Sequence, residues 1–250
     1  TTACVNVSVV SGTGQYKNVG ECVLPNSGVA WPIPRSIGDV ALIRTICLSK
    51  FRLADYGYKV RIGAYVWNRD KRPKFESIQD AIRANAHSVI PLLWSRDISL
   101  RGVVRIDEDS KWNGAHRFVD LGSTTSSSII TSPSVVLQRV TSNEQPHRLV
   151  AATVSSDIFD TYGGFIGENH VVILEQVTSL PILSPEHLAE LLSTYTVDRY
   201  FRCISGATNV SAFELNQLAL PDPIVLQEAL HNGSTWDEAV IKGYQVVLEN

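Results

Sequence analysis

The chain has 250 residues, 44% of them hydrophobic and 19% charged, the composition of a globular protein with a real core. Its net charge of −3 lacks the basic excess usual in nucleic-acid-binding domains, and no run of about 18 apolar residues offers a membrane span. Residues 1–10 carry no basic start and no cleavage site, so the expectation is a cytoplasmic protein whose chain begins inside a longer polypeptide. Cysteines at 4, 22, 47 and 203 form no CxxC pair and have no histidine at metal spacing, which argues against zinc and for four reduced thiols.

Val5, Val7 and Val9 alternate with other residues as in a strand, Ser11-Gly12-Thr13-Gly14 makes a turn, and residues 19–24 return as a second strand. Trp31-Pro32-Ile33-Pro34 reads as a stiff connector. Residues 36–49 place Val40, Ile43, Ile46 and Cys47 at helical spacing, with Ser36 or Asp39 as the cap. Residues 59–66 alternate as a strand, and Gly63 permits close approach of another backbone or a ligand. Residues 68–73 form a basic, turn-rich loop. Residues 89–93 and 103–106 read as strands, and 111–128 as a polar surface loop.

Residues 135–141 and 149–154 are two further strands around a wide loop holding Asn143, Glu144, Gln145 and Pro146. Gly163-Gly164 and Gly167 precede a strand at 171–175. Beyond Pro185 the chain turns helical through Leu188, Leu191 and Leu192. One or two helices close it after residue 223, with Trp236 as an expected packing anchor.

The stretch 196–221, TVDRYFRCISGATNVSAFELNQLALP, is the most structured motif. Val197, Tyr200, Phe201 and Ile204 make one apolar helical stripe, and Arg199 and Arg202 lie off it, free to reach solvent or an anion. Ser205-Gly206 breaks that helix. Ser211 stands three residues before Glu214, the spacing of a capping box, so a second helix starts at about Ala212 and ends before Pro221.

This motif resembles the C-terminal target-recognition region of adenine-specific (N6) DNA methyltransferases of type II restriction-modification systems. It also resembles, more distantly, the repeat ends of type I specificity subunits. Further matching stretches follow in family order at 55–63, 66–71, 91–94, 136–141, 148–152 and 168–170, so the resemblance covers most of residues 31–221. It implies an α+β fold of twisted antiparallel sheets with a C-terminal helical group. It further implies that residues 1–30 are a hairpin linking to a missing catalytic domain, and that 31–250 are the recognition domain. The parent enzyme would use S-adenosylmethionine, and the partners would be double-stranded DNA and the upstream methyltransferase domain.

The family's glycine-rich cofactor loop and its Asn-Pro-Pro-aromatic turn have no match here. Pro221-Asp222-Pro223 lacks the aromatic, so no catalytic residue is assigned. Carboxylates at 107–109 with Lys111 do not match a metal-nuclease spacing. What remains is recognition, in which Arg, Lys and amides hold phosphates while Arg, Asn and Gln read base edges. Lys59, Arg61, Arg69 and Lys71 form the expected phosphate clamp, and Trp67 and Asn68 could stack and hydrogen-bond beside it. Arg139, Arg148, Asn169, His170, Arg199, Arg202 and Asn209 complete the candidate contacts.

Plainer roles compete for each. The cluster at 69–74 is as readily a solvated face. Trp67 and Trp94 follow apolar strands and read more easily as core than as stacking platforms. Arg139 has a core-edge carboxylate as an alternative partner, and Asn169 ties a turn more readily than it reads a base. Arg199 has Asp198 or a distant carboxylate to pair with, and Asn209 a helix to cap. Two rival functions stand beside DNA targeting in a methyltransferase: a specificity module without its own chemistry, and a protein-interaction domain.

Overall fold

The computed structural model describes residues 4–23, 29–106, 116–122, 127–142, 144–205 and 208–245. The carboxylates at 107–109, Lys111, Asn143 and the Gly206 break lie outside the described residues. The chain opens with β1 (Cys4–Val10), β2 (Tyr16–Val23) and α1 (Ile37–Ile46). There follow β3 (Tyr58–Ile62), β4 (Lys74–Phe75), α2 (Ile78–Arg83), β5 (Val89–Leu93), β6 (Gly102–Val104) and β7 (Phe118–Asp120). Next come β8 (Ser134–Gln138), β9 (Ala151–Val154), α3 (Ser156–Tyr162), β10 (Ile166–Gly167) and β11 (Val171–Gln176). The end is helical: α4 (Pro185–Leu192), α5 (Tyr195–Ile204), α6 (Ala212–Gln217), α7 (Pro223–His231) and α8 (Trp236–Tyr244). None of the described helices is long and apolar enough to cross a membrane.

The architecture is mixed α+β with clustered C-terminal helices, as expected, but the sheets are not purely antiparallel. Contacts divide the chain into a helical unit (Thr1–Tyr56, Thr141–Leu149, Glu190–Asn250) and a sheet unit (Gly57–Val140, Val150–Ala189). The division does not fall at residue 30. The β1–β2 hairpin belongs to the helical unit, with β2 against α1.

In the helical unit, α1 starts at the Ser36 N-cap, and Asp39 at its third position accepts from the backbone N–H groups of Arg35 and Ser36. Of the two expected capping residues, Ser36 holds the N-cap position while the Asp39 side chain makes the capping hydrogen bonds. The stripe of α5 is buried as its spacing predicts, and the Ser211 hydroxyl accepts from the Glu214 N–H to start α6 at Ala212. Asp222 caps α7, with Pro223 in the first turn where a missing N–H costs nothing. Trp236 is only half-buried. Leu226, Val240 and Tyr244 pack the closing helices instead, and the Tyr244 hydroxyl donates to the Ala219 carbonyl.

The sheet unit holds a five-stranded sheet in the order β3-β11-β8-β9-β6 and a four-stranded one in the order β10-β5-β7-β4. Two pairs are parallel, β6 with β9 and β10 with β5; the others are antiparallel. Val136, Ala152, Val154, Val171 and Ile173 on one face of the larger sheet pack with Leu93, Ile130, Ile158 and Phe165. Tyr65, Ile90, Leu92, Val119, Leu121 and Ile166 form a second cluster.

Strand β7 lies within 111–128, expected to be surface loop. Its three residues are buried, and its polar ends find partners, most of them on other segments. Arg117 donates to Asp97, and Asp120 accepts from the N–H groups of His87, Ser88 and Gly122. Burial alone would raise the Asp120 carboxyl, but those three donors hold it below the ordinary carboxylate range.

Candidate nucleic-acid interface

Strand β3 ends because Gly63 meets another backbone. A Cβ at position 63 would lie 2.0 Å from the Glu168 carbonyl oxygen. Beyond it Tyr65 bridges Glu168, its N–H donating to the Gly167 carbonyl while its own carbonyl accepts from the Asn169 N–H. The Glu168 N–H donates to the Leu93 carbonyl, and the Arg139 N–H to that of His170. The turn 167–171 is thus stitched to three neighbouring segments.

Glu168 is 1% exposed. Its carboxylate takes the His170 backbone N–H at 2.9 Å and lies 2.8 and 3.0 Å from His170 Nδ1. The imidazole itself is 47% exposed. Together with Trp67, Trp94, Ser95, Arg96 and Val140, the pair lines a shallow depression of about 280 Å³. Trp94 is fixed from behind, its Nε1 donating to the His116 carbonyl at 2.7 Å, and the Arg96 guanidinium lies 5.5 Å from its ring centre.

Trp67 is 56% exposed, which overturns its reading as core. The chain turns at 66–70, where the N–H groups of Arg69 and Asp70 both donate to the Val66 carbonyl. That turn lifts Trp67, Asn68 and Arg69 outward, and Lys71 follows them into solvent. Arg72 turns back onto the Asp70 carboxylate and lies over the Tyr65 ring with Lys74. Tyr65 itself is buried, and burial followed by the nearby Asp70 charge pushes its hydroxyl up to about 12. The cluster at 69–74 therefore divides: Arg69 and Lys71 are exposed, while Arg72 is tied down.

Lys59 is exposed on β3, opposite Glu175. Arg61 shares its face but is committed, donating to the Glu175 carboxylate at 3.0 Å and to the Ser127 carbonyl. Arg139 donates to the Asn169 carbonyl at 2.9 Å rather than to a carboxylate. The Asn169 Oδ1 is buried without a hydrogen-bond partner among the described residues, so it does not tie the turn.

The remaining candidates belong to the helical unit, and three of them are architectural. Arg148 is 1% exposed and donates to the Thr141 and Thr208 carbonyls and the Thr141 hydroxyl, so its guanidinium is committed inside the fold. Arg202 donates to Asp198 and to the Gln145 and Pro146 carbonyls. Arg199 donates to Asp39 at 2.6 Å, the distant carboxylate of the two considered. Asn209 is exposed and caps nothing, since Ser211 takes that role. Thirteen of the 22 Lys and Arg residues fall in the sheet unit against thirteen Asp and Glu. The other nine face twelve acids, so the whole net charge of −3 belongs to the helical unit.

Sequence reasoning missed Glu168 and Arg96 as members of the site, and it favoured a core role for Trp94, which is half-buried and lines the depression. Glu168, two residues before His170, was the available signal, because a carboxylate there can reach the ring of its neighbour but one. Comparison of the chain with protein-family models and with curated proteins finds no match.

Proposed function

We propose that the chain recognises a duplex DNA sequence as the C-terminal part of a site-specific N6-adenine DNA methyltransferase of a restriction-modification system. The observation that carries this reading is the exposed turn Trp67-Asn68-Arg69 with Lys71, where Trp67 borders a depression edged by Arg96 and His170. Cations beside a stacking ring and hydrogen-bonding side chains are what a surface needs to hold phosphates and read base edges. The order of the resembling stretches supports the same reading, with a target-recognition fold as its finer form. The adenine would be flipped from the stack and methylated by another part of the enzyme, which would hold the S-adenosylmethionine. Val10, Tyr16 and Val23 on the exposed hairpin of the helical unit suit packing against that catalytic part.

Salt-dependent binding tests the proposal. Lys59→Ala, Arg69→Ala and Lys71→Ala together should weaken binding to every duplex. They should also flatten the slope of log affinity against log salt by about one unit for each phosphate no longer neutralised. An unchanged slope counts against the clamp, and a chain that binds no duplex favours a protein-interaction domain. The purified chain should transfer no methyl group to DNA, and measurable transfer would overturn the assignment of the chemistry to another part.

A further inference from the structure

The imidazole of His170 is held in a defined state, and that state has a consequence for what it can bind. A buried carboxylate only accepts, so His170 Nδ1, at 2.8 Å from it, carries the hydrogen. In a neutral ring that leaves Nε2 bare, an acceptor on a half-exposed side chain. The ring cannot easily exchange tautomers. Glu168 is anchored by its own backbone bond to Leu93, and the His170 backbone is held by Glu168 on one side and by Arg139 on the other.

We propose that His170 is a specificity-determining residue, whose Nε2 accepts a hydrogen bond from the exocyclic amino group of adenine or cytosine at one position of the bound duplex. Trp67 and Arg96, on the same depression, flank that position. In the major groove only adenine N6 and cytosine N4 present amino donors, whereas guanine and thymine present acceptors there. Glu168 acts as a positioning residue, reaching the base only through the imidazole. This inference rests on the DNA-recognition reading and adds the polarity of one contact to it.

The test is selection from a duplex pool with randomised central positions by the full chain at about pH 8.5. The recovered sequences should be restricted to adenine or cytosine at one position. His170→Ala should relax that position alone, lowering the preference there by roughly tenfold or more, with affinity for mixed competitor DNA unchanged. His170→Ala takes the ring from the buried Glu168 carboxylate, so His170→Gln, whose side-chain amide can still donate to it, is the second variant and should relax the same position. Glu168→Gln, which lets an amide N–H meet Nδ1 and so favours hydrogen on Nε2, should move the preference at that position toward guanine or thymine. Restriction to guanine by the unaltered chain would overturn the acceptor assignment. So would salt-sensitive binding in which His170→Ala leaves every position as it was, although DNA recognition itself would then survive. Absence of any duplex binding would remove both.

Discussion

Asp198 accepts three hydrogen bonds from a position only 3% exposed: the N–H groups of Arg148 and Leu149 through one oxygen and Arg202 Nε through the other. Arg148, buried beside it, spreads its donors over Thr141 and Thr208. What these residues do is fasten the segment 141–149 to α5. Asp198→Ala should therefore destabilise the fold by about 3 kcal/mol, since it strands two buried N–H groups and a guanidinium. Urea denaturation measures this. A change below about 0.5 kcal/mol would show that water replaces the carboxylate. The same residues explain why single positions were hard to assign from sequence. An arginine two residues from a motif centre reads as a ligand-binding cation until its carbonyl partners, supplied by other segments, are known.

At the scale of elements, the meeting of β3 with the turn before β11 sets the position of the Glu168–His170 pair. Gly63→Ala would drive a methyl group into the Glu168 carbonyl, a backbone atom that cannot swing aside. The expected cost is about 2–3 kcal/mol, together with loss of base preference at the His170 position. Gly12→Ala is the control, because nothing lies within 4 Å of its added carbon. Its unfolding midpoint should match the unaltered chain, and an equal loss in both variants would deny Gly63 its special place. That close approach was legible in the sequence, as were α1, α5, α6 and strands β1, β2, β3, β5, β8, β9 and β11, whose periodicity or caps are local. Strand β7 was not. Its apolar core, Phe118-Val119, is too short for a period, and Arg117 and Asp120 look like loop residues until Asp97 and the 87–88 backbone are brought to them. Helices α2 and α3 are short and escaped for a similar reason. Trp67 was misread because the apolar run before it suggested a continuing strand, whereas the chain turns at Val66.

Across the whole molecule, each unit contains an aspartate held in its charged form by its folded surroundings. Burial by itself would raise the Asp39 carboxyl, but hydrogen bonds from Arg199 and Ser36, joined by the Arg35 N–H, outweigh it and leave it below the ordinary range. Asp120 is lowered mainly by the backbone donors of Ser88, Gly122 and His87, with a smaller electrostatic contribution from the His87 side chain. A carboxyl whose folded value lies below its unfolded one contributes stability in full above the unfolded value, about 4. That contribution is lost as pH falls from there through the depressed folded value, because the unfolded chain takes up the proton first. Both units should therefore weaken over the same acid range. Urea midpoints should be nearly level from about pH 7 to about pH 5 and fall steeply below about pH 4. Asp39→Asn and Asp120→Asn should each start lower at neutral pH and fall less steeply in acid. The loss caused by Asp39→Asn should also shrink as salt is added, since one partner of the carboxylate is a part-exposed guanidinium, whereas the loss caused by Asp120→Asn, set mainly by backbone donors, should change little. A parallel acid slope in both variants and the unaltered chain would mean that other carboxylates govern the acid transition.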